Sequence, residues 1–121
     1  KSNIRKYESR ILQSELNMED FKDDIQIQVS NLYKDYLISK SNVKTNSIRI
    51  ESINTSLESI KEEYNLGTKT ITELIEAETQ LLEANVNYFS STKDFILNYF
   101  NLIALQGSIL DNFANYLPDY N

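Results

Sequence analysis

The sequence contains no cysteine and no histidine. Without cysteine there is no disulfide framework, no zinc–thiolate site and no thiol nucleophile. Without histidine there is no imidazole base and no histidine metal ligand, which removes the Ser-His-Asp and Cys-His catalytic arrangements. A di-iron helical bundle, built on Glu-x-x-His pairs, is removed with them. Breakers are almost as scarce: Gly67, Gly107 and Pro118 are the only glycines and proline in 121 residues, against average usage of about 7% Gly and 5% Pro. Two isolated glycines cannot build a phosphate-cradling loop. Few breakers also mean few turns, so the elements must be long. No apolar run reaches the ~18 residues of a membrane-spanning helix. The best run, Phe95 to Leu105, is interrupted by Asn98 and Asn101.

What the chain does have is charge of both signs with an acidic excess, 12 basic against 18 acidic residues for a net charge of −6. Such a surface is poorly suited to nucleic acid or to an anionic membrane. Paired carboxylates such as Asp23-Asp24 and Glu62-Glu63 read as solvated surface rather than as acid–base chemistry, which needs a pocket. No catalytic, cofactor-binding or metal-binding residue is expected. Lys1 opens the chain without Met or a charged-then-apolar leader, and the expectation is a segment of a longer protein.

An all-α fold follows from the hydrophobic spacing. From Ile25 the steps alternate four and three through Val29, Leu32, Tyr36, Ser39, Val43, Asn46, Ile50, Ile53, Leu57, Ile60 and Tyr64. That average of 3.5 is the coiled-coil period. Upstream the seam continues through Ile4, Tyr7, Ile11, Ser14, Met18 and Phe21. Two successive steps of four, Phe21 to Ile25 to Val29, form a stutter that locally unwinds a supercoil. The spacing predicts one helix over 1–64, roughly 90 Å long at ~1.5 Å per residue.

A tip turn is expected over 65–70. Gly67 suits the left-handed position that closes a helix, and Thr70-Ile71-Thr72-Glu73 matches a capping box that opens the next one. So short a connection makes the two helices antiparallel neighbours. The second helix is expected over 71–110, followed by an irregular tail over 111–121. Two apolar stripes run along this helix. One holds Ile71, Ile75, Leu82, Phe89, Ile96, Ile103 and Leu110. The other holds Leu74, Leu81, Tyr88, Phe95, Leu102 and Ile109, flanked by Ala77, Ala84 and Ser91. Two stripes are wider than one partner helix can cover, and the uncovered apolar surface predicts association with further helices.

Tyr64-Asn65-Leu66-Gly67-Thr68-Lys69-Thr70-Ile71-Thr72-Glu73-Leu74-Ile75-Glu76-Ala77 resembles the tip of the TolC-like outer-membrane efflux ducts. Their pattern there is Tyr, two residues, Gly-Thr-Arg-Thr, an apolar pair, an acidic residue, apolar residues and acidic-Ala. Asn98 to Leu110 is similar to the end of the same helix in that family, and Asp20 to Tyr36 fits the other helix. The resemblance covers about residues 10–110 and implies the hairpin of the second repeat of a homotrimer, whose helices form a periplasmic tunnel below an outer-membrane barrel. It implies passive export, with a periplasmic adaptor and an inner-membrane pump as partners, no nucleic acid, and a periplasmic location for this segment, which does not itself span the membrane.

By residue match, the resemblance makes Tyr64, Gly67, Thr68 and Lys69 tip contacts that hold the gate, and makes Glu73 and Glu76 an acidic ring at the aperture. Lys69 stands where the family has Arg, which loses a bidentate fork. Glu73 and Glu76 stand where it has Asp, one methylene shorter. Each position also has a plainer role: Glu73 in the capping box, Glu76 on a solvated face, Tyr64 at the end of the seam, Lys69 in an exposed turn and Gly67 as a helix stop. The alternative to a duct is an autonomous helical hairpin or coiled-coil interaction module, such as the hairpin of a periplasmic adaptor.

Overall fold

The computed structural model describes residues 2–116. Among them are two helices and no strand: α1, Ser2–Asn65, and α2, Ile71–Tyr116, joined by the turn at 66–70. The first helix and the tip turn lie within one residue of their expected bounds. The second helix corrects the expectation. Residues 111–116 are helical, not an irregular tail, because Asp111-Asn112-Phe113-Ala114-Asn115-Tyr116 holds no breaker and Pro118 is the first residue that cannot continue a helix. Residues 117–121 of the expected tail lie outside the described residues. Gly107 does not interrupt α2 either, and a Cβ there would meet open space.

The helices divide into two compact units. In the unit formed by residues 35–101, α1 and α2 run antiparallel. Asn46 Nδ2 donates to the Asn87 carbonyl at 3.4 Å, and Asn98 Nδ2 donates to the Asp35 carbonyl at 3.4 Å. The Tyr36 ring lies 5.3 Å from Phe95 and 6.4 Å from Tyr99. As numbers rise along one helix they fall along the other, and the paired numbers total close to 134. In that register Val43 stands opposite Ser91, Ile50 opposite Ala84 and Leu57 opposite Ala77. Ser39 and Phe95 reverse the order. Large thus faces small in every second layer, with Ile53 opposite Leu81 and Ile60 opposite Leu74 between them, and the small residues let the helix backbones come close.

The most buried residues are these small ones and their neighbour: Ala84 is 1% exposed, Ser39 4% and Leu57 5%, with Ala77 and Ser91 also buried. Both buried serines are satisfied within their own helix. Ser39 Oγ donates to the Tyr36 carbonyl at 2.8 Å and Ser91 Oγ to the Tyr88 carbonyl at 2.9 Å. Among the described residues no buried side-chain polar atom lacks a partner, so the polar seam positions carry no desolvation debt.

In the other unit, whose described residues are 2–34 and 102–116, burial is thinner. Phe21, Ile25 and Leu32 on α1 and Leu102, Leu105, Ile109 and Asn112 on α2 are half-buried, and no residue there is fully buried. The expected upstream seam is not covered: Ile4, Tyr7, Ile11, Ser14 and Met18 are exposed. Within this unit Val29 lines one groove with Leu102, Leu105 and Ile109, a register in which the described part of α2 reaches about residue 18 of α1.

Candidate functional site

The tip is built by two interlocking caps. Gly67 has φ 81°, the left-handed region. Its N–H donates to the Tyr64 carbonyl at 3.0 Å, and the Thr68 N–H donates to the Glu63 carbonyl at 2.9 Å. These two bonds are the Schellman pair that satisfies the last carbonyls of a helix. Thr68 adds its hydroxyl to the same Glu63 carbonyl at 2.9 Å. Lys69 Nζ then reaches Glu63 Oε2 at 3.8 Å.

The opposite face of the turn opens α2. The Thr70 N–H donates to Glu73 Oε2 at 2.8 Å, and the Glu73 N–H donates to Thr70 Oγ1 at 3.2 Å. That is a complete capping box. The Leu74 N–H to the Thr70 carbonyl, at 3.2 Å, is the first helical bond of α2. The Thr70 backbone N–H holds the Glu73 carboxyl below its ordinary value; Lys69 and the Thr70 hydroxyl pull the same way, against a partial opposing effect of desolvation.

The residues singled out in the sequence therefore fall into three groups. Gly67 closes onto the Tyr64 carbonyl, while Thr68 and Lys69 are joined through Glu63, which sequence reasoning read only as solvated surface. Its signal was positional: a glycine stop at 67 makes residue 63 the acceptor of the closing bond. Glu73 belongs to the cap with Thr70. Tyr64 is more than a third exposed and supplies its backbone carbonyl to the turn, while Glu76 lies exposed one turn beyond Glu73 on α2. Glu73 and Glu76 share a helix face and both are open to solvent, where they can attract cations or a basic partner.

A second concavity lies away from the tip. Asp35, Asn42, Asp94, Asn98 and Asn101, with Ile38 and Leu97, line an open groove of about 360 Å³ beside buried Ser39. Its residues come from both helices at the same register, a relationship that no local motif records. Among the described residues there is no cluster of three acidic side chains able to hold a metal ion, and no helix long and apolar enough to cross a membrane.

The largest unexplained feature is on α2. The stripe of Leu74, Leu81, Tyr88 and Phe95 with Ala77, Ala84 and Ser91 is the one covered by α1. The stripe of Ile75, Leu82, Phe89 and Ile96 is not: Leu82 is 64% exposed and Phe89 72%. No protein-family model, no curated protein and no solved structure matches the chain.

Proposed function

We propose that this hairpin is a wall segment of a helical tunnel, the periplasmic part of a trimeric outer-membrane efflux or secretion duct that exports passively and is gated at the tip. One observation carries the reading: α2 has a second, uncovered apolar stripe repeating every seven residues beside the one packed on α1. A helix in a two-helix hairpin needs one seam. A helix in a closed ring has a neighbour on each side and needs two.

The tip fits a gate in this reading. Its backbone is fixed by two caps, while Tyr64, Thr68, Glu73 and Glu76 remain exposed. Threefold repetition would stack Glu73 and Glu76 as rings of carboxylates, and such rings favour cations. Lys69 is held by Glu63 within the chain, so a tie to a neighbouring hairpin would exchange one weak, exposed ion pair for another. The adaptor and the inner-membrane pump would then supply the opening force.

The test is single-channel conductance of the intact protein that carries this segment. Glu73→Gln with Glu76→Gln removes both charges while leaving Glu73's position a cap acceptor, and cation selectivity should fall. Tyr64→Ala or Lys69→Ala should raise conductance by loosening the closed tip. A protein that forms no pore would overturn the duct reading in favour of an autonomous interaction module. A pore with unchanged selectivity would place the two glutamates away from the aperture.

A further inference from the structure

We propose that the uncovered stripe of α2 pairs with the same stripe of a second copy, antiparallel, about a twofold axis between Val86 and Phe89. Within residues 75–100 the exposed positions Ile75, Leu82, Val86, Phe89, Ile96 and Phe100 fall, with Thr79 and Lys93, on steps that alternate four and three. That is a complete second coiled-coil seam rather than scattered apolar surface. Together its apolar side chains leave on the order of 700 Å² uncovered, close to the ~800 Å² per partner of a standard interface.

The choice of occupant comes from elimination and from charge. In the same unit α1 exposes only Leu37, Ile38, Ile48 and Tyr64 as large hydrophobics, and these do not recur at seven. In this unit of a second copy the continuous apolar seam is therefore the α2 stripe itself, longer than the exposed row of Ile4, Tyr7, Ile11 and Met18 at the start of α1, and stripe on stripe makes the contact isologous.

Direction follows from Lys93, the one cation in the seam. A parallel pair stacks Lys93 on Lys93 of the second copy and sets Glu78 against Glu83 across the flanks. The antiparallel pair does neither. It places Val86 opposite Phe89, Ile75 opposite Phe100 and Thr79 opposite Ile96. Lys93 comes opposite Leu82, with Glu78 and Glu83 of the second copy on either side. Glu76 and Glu78 then face Leu97 and Tyr99, and no carboxylate meets a carboxylate.

The pairing is that of the hairpin outside a closed ring, since the ring neighbour proposed above would occupy the same stripe; it does not rest on the duct reading, because pore formation and pairing of the 121-residue chain are measured separately. Sedimentation equilibrium of the chain should show a monomer–dimer equilibrium. Phe89→Glu, at a solvent-facing position, should keep the circular-dichroism helix signal yet remain monomeric. Lys93→Glu should weaken the dimer by roughly ten-fold or more, since a charge reversal between two carboxylates costs more than ~1.4 kcal/mol, the equivalent of ten-fold.

The native chain has no cysteine, so single-cysteine variants report direction cleanly. Mixed Ile75→Cys and Phe100→Cys chains should form the heterodisulfide on mild oxidation. A monomer at all concentrations, a dimer indifferent to Phe89→Glu, or preferential Ile75→Cys homodisulfides would each overturn the proposal.

Discussion

Thr70 and Glu73 cap the second helix reciprocally, the Thr70 N–H on Glu73 Oε2 at 2.8 Å and the Glu73 N–H on Thr70 Oγ1 at 3.2 Å. The carboxylate accepts a backbone N–H that would otherwise face the turn unsatisfied, and this holds its pKa below the ordinary value of 4.5. The lowered folded value fixes the sign of the pH dependence. The cap's contribution is complete above the unfolded pKa and is lost as pH falls through the folded one. Thermal melts of the wild-type chain should therefore decline into the acid range more than those of Glu73→Gln, which has no charge to lose there. Equal slopes for the two proteins would show that the carboxylate is not held by the cap in solution.

Gly67 makes a different demand. Its φ of 81° is the only positive value among the described residues, and a Cβ would meet nothing within 4 Å. The cost of a side chain is thus conformational and not steric. Gly67→Ala should destabilise the chain by about 1–2 kcal/mol, the usual penalty for a left-handed non-glycine residue. Gly67→Asn should cost less, because Asn tolerates this region. Urea denaturation of both variants checks the order. Equal losses would point to a side-chain clash instead.

Gly67, Thr70 and Glu73 were legible because each acts on residues three to five positions away, within reach of a local motif. The α1 seam was legible for the same kind of reason. Period 3.5 marked Ser39 and Asn46 as seam positions despite their polarity, and the structure places Ser39 among the most buried residues and Asn46 on the Asn87 carbonyl. Periodicity does not say which of its positions are covered. Ile4, Tyr7 and Ile11 carry the pattern and stay exposed. Nor does it say which of two stripes wins α1. The small residues Ala77, Ala84 and Ser91 settle that, since close backbone approach is possible on their side alone. Glu63 and the groove at Asp35 and Asp94 depend on how the turn closes and how the helices register, neither of which is a property of a short segment.

The large-against-small layers make a change of size costly in either direction. Leu57→Ala, at 5% exposure, should leave a cavity and cost about 2–4 kcal/mol. Ala84→Leu, at 1% exposure, should push the helices apart and cost about 1–3 kcal/mol. At the uncovered stripe Leu82→Ala should change folding stability of the monomer by less than about 0.5 kcal/mol. Denaturation at a concentration below any association separates these cases. A loss at Leu82 equal to that at Leu57 would show that the stripe is covered within one chain.

Asn46 and Asn98 reach across the interface from opposite helices, each with its amide on a backbone carbonyl of the other, at Asn87 and Asp35. Both bonds are 3.4 Å long and partly open to solvent, so each adds little to stability. Their acceptors are backbone carbonyls, which every residue offers, so a slip by one heptad would give each amide another carbonyl and would not be penalised by these bonds. Register is fixed instead by the five residues that join α1 to α2. Asn46→Leu with Asn98→Leu should therefore raise the melting temperature and leave the alignment unchanged, since a polar seam residue costs stability. Paired cysteines at Ile53 and Leu81, opposite one another in this register, report the alignment directly. They should cross-link nearly completely in the otherwise wild-type chain and in the double leucine variant alike. Incomplete cross-linking in the leucine variant would show that the two amides, and not the tip, hold the register.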